Sequence, residues 1–73
     1  MTDAELLDLA LRADEAGWQK LHQLCRERGM AERLAKVLER GATQEVDEAH
    51  AWASVLKQMH PGLHVNLPPA TSA

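Results

Sequence analysis

The chain has 73 residues and a formal net charge of −3, a size that allows one domain near the lower limit for a single apolar core. Phe and Tyr are absent and strand-favouring residues are scarce, which favours an all-α fold of slim helices over a β-sandwich. The acidic balance argues against a stand-alone nucleic-acid-binding protein, because that class carries a basic excess.

Cysteine usage and hydropathy indicate the cellular setting. The single cysteine, Cys25, excludes an internal disulfide framework and points to a reducing compartment. No apolar run is long enough to span a bilayer, and the acidic N-terminus is unlike a signal peptide. We therefore expect a cytoplasmic protein without a membrane partner, and no motif predicts a cofactor.

The first helix is predicted to begin at Asp3, because Thr2 followed by Glu5 is a capping box. Its apolar residues cover more than half of the helix circumference, which predicts packing on two sides. Either Asp14 caps a second helix or Gly17 ends the first. The second helix is predicted to end at Gly29 and to present four residues on one face: Trp18, Leu21, Leu24 and Cys25.

The third helix is predicted from Met30 to Arg40, with Gly41 as a left-handed C-terminal stop. Thr43 then caps a fourth helix, and Glu45 suits the dipole of its first turn. The inward faces are formed by apolar residues at helical spacing: Met30, Leu34, Val37 and Leu38 in the third helix, and Val46, Ala49, Ala53 and Leu56 in the fourth.

Residues 61–62, Pro-Gly, are predicted to end the fourth helix and to close a helical domain spanning residues 1–62. Residues 63–73 form an extended C-terminal tail in which Leu63, Val65 and Leu67 alternate with polar residues. We expect the apolar half of this tail to lie over the helices and its last six residues to be disordered.

The stretch LAKVLERGATQEVDEAHAW, residues 34–52, resembles the repressor/Cro-like helix-turn-helix family. In that family the start of the second helix contacts base edges, which implies Thr43, Gln44, Asp47 and Glu48 here. Phosphate neutralisation supplies most of the affinity for DNA, and Glu45, Asp47 and Glu48 oppose it. We therefore expect the scaffold to face a protein, with a DNA-binding repressor as the alternative.

The predicted partner-binding surface joins the acidic start of the fourth helix to an apolar strip that continues into the tail. Its residues are Glu45, Asp47, Glu48, Trp52, Val55, Met59, Leu63 and Val65. In one interpretation the tail folds back and buries the strip, because a short chain lacks core. In the other the strip stays accessible and captures a partner, since Trp and Met are common interface anchors.

Two further patterns have a functional and a structural interpretation. His22 and Cys25 with His60 and His64 have the spacing of a zinc site, but Cys25 falls in an apolar stripe, so we predict a core cysteine and no metal. The basic side chains Arg26, Arg28, Arg33, Lys36 and Arg40 form a predicted strip. It is either a solvated face supported by a Glu32–Lys36 pair or a patch for an acidic partner.

Together these features predict a small non-enzymatic regulatory protein that acts by binding another protein. Its size, acidity and helix-turn-helix-like core are similar to those of small phage-encoded proteins that bind host machinery. That resemblance implies RNA polymerase as the partner and regulation of transcription as the mechanism. A homo-oligomeric structural or assembly module is a further alternative, and the oligomeric state stays open.

Overall fold

Four helices account for most of residues 2–12, 14–41 and 46–67, which are the residues that the computed structural model describes. Helix α1 spans Asp3–Leu11, α2 spans Glu15–Leu24, α3 spans Arg28–Gly41 and α4 spans Val46–Met59. No strand occurs in these ranges, so the all-α prediction is confirmed. None of these helices combines the length and the apolar character that crossing a membrane requires.

Helix α1 packs against each of the other three helices, and α3 also packs against α4. Its start is stabilised as predicted, since the Glu5 amide donates to Thr2 Oγ1 at 3.2 Å and the Leu6 amide to the Thr2 carbonyl at 3.0 Å. Leu6 and Ala10 are fully buried, while the flanking leucines are partly buried. The wide apolar face of α1 is therefore explained by its central place in the fold.

The core is built from one buried residue or more on every helix and one from the tail. Its members are Leu6, Ala10, Leu21, Cys25, Ala31, Leu34, Ala35, Leu38, Ala49, Trp52, Leu56 and Leu63. No polar or charged residue of the described ranges is buried. Small alanines at the helix contacts allow close approach, and a single large indole fills the remaining volume.

The prediction that α2 continues to Gly29 is wrong. Helix α2 ends at Leu24, and bonds from Arg26 to the Gln23 carbonyl and from Glu27 to the Leu24 carbonyl make a tight turn. Gly29 lies instead in the first turn of α3. The turn needs no left-handed residue, so the glycine does not mark the boundary.

The role predicted for Gly41 is also wrong. Among the described glycines, Gly62 has a positive φ, of 104°. Gly41 does not, and it is the last residue of α3. Glycine at position 41 leaves room for the Leu7 side chain of α1. A Cβ atom at Gly41 would overlap the methyl groups of Leu7 and lie 3.2 Å from its Cγ atom, so the Leu7 side chain of α1 would have to move to admit a side chain there.

The tail turns back onto the helices after the predicted Pro61-Gly62 stop. The Leu63 amide donates to the His60 carbonyl at 3.0 Å, and the Leu63 side chain is buried. Further along, the Asn66 amide donates to Glu39 Oε1 at 2.9 Å, which holds the tail against α3. The Thr43 cap and the disorder expected for residues 68–73 lie outside the described residues.

We expect Gly41→Ala to lower the free energy of unfolding, although alanine is the better helix former, because the new methyl group collides with Leu7. Gly29→Ala, in the same helix with nothing within 4 Å of the new Cβ, is the matched control and should raise it by up to about 1 kcal/mol. Urea unfolding followed by circular dichroism measures both changes.

Combining Gly41→Ala with Leu7→Ala tests the cause of the effect. In the Leu7→Ala background the collision is absent, so we expect the penalty of Gly41→Ala to disappear. A Gly41→Ala variant that is stabilised as much as Gly29→Ala in the wild-type background would contradict the packing role of Gly41.

Candidate protein-binding surface around Trp18

Trp52 lies in the core, with none of its surface exposed. Its indole N–H donates to the backbone carbonyl of Ala10 at 3.0 Å, in a buried hydrogen bond that joins α4 to α1. The carbonyls of the last turn of a helix have no partner within the helix, and Ala10 lies in the last turn of α1. The indole therefore caps α1 from the side while its rings fill the core.

This position decides between the two interpretations of the apolar strip. Trp52 and Leu63 are buried, and Val55, Met59 and Val65 are partly buried against the core. Trp52 and Leu63 thus belong to the core, while Val55, Met59 and Val65 pack against it and keep part of their surface accessible. The physical reason is that a short chain without Phe or Tyr needs its largest side chains inside.

The acidic half of the predicted surface stays accessible. Asp47 is exposed and Glu48 is partly buried in the first turn of α4. Glu45, together with Thr43 and Gln44, lies outside the described residues. The described residues of the prediction are therefore divided between the core and the surface.

Trp18, which sequence reasoning placed among the inward residues of α2, is the tryptophan that reaches the surface. The buried stripe of α2 runs through Gly17, Leu21 and Cys25 at intervals of four residues, and Trp18 lies at its edge. Its ring centroid is 4.5 Å from that of Trp52, with 34° between the planes. Trp18 thus stacks on the core with one side and meets solvent with the other.

The indole N–H of Trp18 is also available to a partner. It has no hydrogen-bond acceptor in the described part of the chain, and it is not completely buried. The edge position of Trp18 beside polar Glu15 and Gln19 is the one sequence signal that could have found it.

Two hollows adjoin Trp18. The first, which we call the Trp18 hollow, has a volume of about 360 Å³ and is lined by Asp14, Glu15, Trp18 and Glu48. The second, of about 420 Å³, lies along α2 and is lined by Glu15, Trp18, Gln19, His22, Gln23 and Arg26. The Trp18 hollow joins α2 to α4, which both pack on α1, and brings together carboxylates that are 33 residues apart in the chain.

The described residues that line the Trp18 hollow are acidic, apart from Trp18 itself. Among the described residues, Asp14, Glu15 and Glu48 have no hydrogen-bond or ion-pair partner for their side chains. Asp14 stands at the N-cap of α2 but makes no capping bond with its side chain. The positive ends of α2 and α4 stabilise these carboxylates without neutralising them.

The predicted basic strip is divided between different neighbours. Arg33 Nε donates to Asp3 Oδ1 of α1 at 2.8 Å, while Arg28 pairs with Glu32 at 3.2 Å in place of the predicted Glu32–Lys36 pair. Lys36 and Arg40 are exposed, and Arg26 lines the larger hollow. Exposed pairs of this kind contribute roughly 0–1 kcal/mol each, so the strip behaves mostly as a solvated face.

The residues of the alternative zinc site do not converge. Cys25 is buried, and burial raises the pKa of its thiol to about 11. His60 lies beside the backbone, with Nε2 at 2.8 Å from the Cys25 carbonyl oxygen, while His22 and His64 are exposed. The described residues contain no group of three His, Cys, Asp or Glu that could hold a metal ion. Cys25 is a core residue, as its apolar stripe predicted.

Comparison with protein families, with curated proteins and with solved structures finds no match to this chain. The resemblance to helix-turn-helix proteins stays a prediction: α3 and α4 flank the proposed turn and pack against each other. The turn itself, with Thr43 and Gln44, lies outside the described residues.

We expect the Cys25 thiol to make the stability depend on pH in alkaline solution. Its pKa is raised from 9.0 to about 11 in the folded protein, so folding favours the neutral thiol. This contribution is complete below pH 9 and is lost as the pH rises from 9 to 11. The stability that the protein loses through this change in pKa is at most about 2–3 kcal/mol.

The variant Cys25→Ala isolates this effect, because it lacks the thiol and keeps every other titrating group. Urea unfolding of both proteins at about pH 8 and about pH 10.5 should show the wild type losing more stability than the variant. Equal losses in the two proteins would contradict a buried neutral Cys25.

Proposed function

We propose that this chain is a small regulatory protein that acts by binding another protein, and that Trp18 is the centre of its contact surface. The observation that carries the proposal is how the Trp18 side chain is packed and exposed. Trp18 is stacked on the buried Trp52, partly open to solvent, and has an indole N–H without an acceptor in the described residues. Tryptophans in this situation are the residues that most often dominate protein interfaces.

The support beneath Trp18 favours tight contact. Trp52 is fully buried and is fixed by its hydrogen bond to Ala10, so the ring that Trp18 stacks against cannot reorient freely. A side chain that is held before binding loses less conformational entropy when a partner covers it. The flat indole face and the hollow beside it therefore form a pre-organised site.

The charges around Trp18 favour a protein over a nucleic acid. Glu48 in the first turn of α4 lines the Trp18 hollow, and Asp47 beside it is exposed. In the helix-turn-helix alternative this end of α4 would approach the DNA phosphates, which carry the same sign of charge. A protein partner can instead place basic or neutral groups against these carboxylates.

Cys25 supports a non-enzymatic role. The thiol is the strongest nucleophile that the sequence offers, but it is buried and its pKa of about 11 keeps it protonated near neutral pH. Regulation by occupying a site on a partner needs no such group. Within this class, a subunit of host RNA polymerase is the partner that the general resemblance to small phage-encoded regulators implies.

Affinity capture on the immobilised chain tests the proposal, with host-cell lysate and purified RNA polymerase applied in separate experiments. We expect the wild type and Asp47→Asn to retain the same protein, and Trp18→Ala to retain at least about tenfold less, because interface tryptophans contribute about 2 kcal/mol or more. Glu48→Gln should retain less by about threefold or more, because it removes a carboxylate from the Trp18 hollow. Asp47→Asn is the matched control, since it removes a carboxylate from the same helical turn as Glu48→Gln.

Circular dichroism confirms that each variant is folded, and Glu48→Gln keeps the test valid if Trp18→Ala unfolds. Retention of the same proteins by all four chains would show that the Trp18 surface is not the contact. Binding of duplex DNA at low salt, with no protein retained, would support the repressor alternative in its place.

A further inference from the structure

The Trp18 hollow combines the Trp18 side chain with carboxylates from the starts of two helices. Glu15 and Asp14 stand at the start of α2, and Glu48 stands in the first turn of α4. The face of an indole attracts cations through its quadrupole, and tryptophan does so more strongly than tyrosine or phenylalanine. Carboxylates beside the ring add charge attraction and hydrogen-bond acceptors for the same cation.

The carboxylates of the hollow have no ion-pair partner among the described residues, a property they share with Glu27 and Asp47 outside it. Asp3, Asp8 and Glu32 each contact an arginine of the same chain, at 2.8, 2.5 and 3.2 Å. Asp14, Glu15 and Glu48 have no such partner among the described residues. A cation that enters the hollow therefore breaks no ion pair among the described residues.

From this arrangement we propose that the Trp18 hollow is a recognition site for an arginine side chain in a basic segment of the protein partner. The proposal rests on the proposed function and names the chemistry of that partner. The planar guanidinium stacks on the indole face and presents several N–H donors in its own plane, parallel to the ring, at the same time. These donors reach the carboxylates at the rim, while the arginine stem covers the apolar edge of Trp18.

Other cations match the hollow less well. A lysine ammonium is a compact, strongly hydrated charge that cannot stack, so it gains less from the indole. A divalent metal ion prefers several converging oxygen ligands, and the described residues form no group of three that could hold one. The volume of about 360 Å³ lies near the lower end of the range for ligand pockets, roughly 300–1000 Å³. It has room for an arginine side chain and part of its backbone.

Charge complementarity identifies the occupant as a separate, basic molecule. The chain has a net charge of −3, so a segment with several arginines is attracted to it as a whole and to the hollow in particular. Three of the chain's own arginines, Arg12, Arg28 and Arg33, are engaged with acidic side chains of the same molecule. Arg26 and Arg40 are exposed, but a second copy carries the same net negative charge as the first, which makes it a poorer source of the guanidinium than a basic segment.

The test is a titration of the full, ¹⁵N-labelled chain with the peptide acetyl-Gly-Arg-Gly-Arg-Gly-amide, followed by nuclear magnetic resonance. The control peptide has citrulline in place of arginine, which keeps the shape of the side chain and removes its charge. The chain has two indole N–H signals, from Trp18 and Trp52, and Trp18→Phe assigns them. We expect the arginine peptide to shift the Trp18 signal to saturation and to bind at least about tenfold more tightly than the citrulline peptide.

The variants Glu48→Gln and Asp47→Asn locate the charge that matters. Both remove one carboxylate from the first turn of α4, but only Glu48 lines the hollow. We expect Glu48→Gln to weaken binding of the arginine peptide by about threefold or more and Asp47→Asn to leave it within about twofold. Equal affinity for the arginine and citrulline peptides, or equal effects of the two variants, would overturn the proposal.

Two outcomes separate this proposal from the proposed function. If a protein is captured through Trp18 while the two peptides bind equally, the arginine site is wrong and the protein-binding function stands. If the Trp18 signal shifts when the concentration of the chain alone is raised, the occupant is a second copy, and the proposal of a separate basic partner is wrong.

Discussion

The hydrogen bond from the Trp52 indole to the Ala10 carbonyl is the contact on which the rest of the structure depends. Helix α1 is only nine residues long, and its last carbonyls lack partners within the helix. Trp52 satisfies one of them from α4, across 42 residues of sequence. Losing this donor would leave a buried acceptor unsatisfied, which costs roughly 1–3 kcal/mol in a chain of marginal size.

Trp52 has a structural role, and Trp18 has the proposed binding role. Trp52 is buried completely and fixes α4 against α1, and Trp18 uses its ring as a platform. This stack ends at the surface beside Glu15 and Glu48, so the proposed contact area is a direct extension of the core. A small protein can present a rigid aromatic face in this way without a separate binding domain.

Local signals predicted much of the helical framework. The Thr2 capping box and the Pro61-Gly62 stop correctly mark the start of α1 and the end of α4. Of the two alternatives left open between α1 and α2, Asp14 takes the N-cap position of α2, without a capping bond from its side chain. Gly41 could not be interpreted locally, because its role depends on Leu7, which is distant in sequence. The candidate binding surface could not be predicted from local sequence either.

Both tryptophans stand in apolar stripes, and only the packing of α2 and α4 around α1 decides which of them is covered. The meeting of Glu15 with Glu48 likewise follows from that packing.

Hydrogen exchange of the two indole N–H groups tests most directly that Trp52 is the buried tryptophan and Trp18 the exposed one. The Trp52 indole should exchange as slowly as the most protected core amides, because it is buried and hydrogen-bonded, while that of Trp18 should exchange nearly as fast as a free indole. Fast exchange at Trp52, or strong protection at Trp18, would contradict the account.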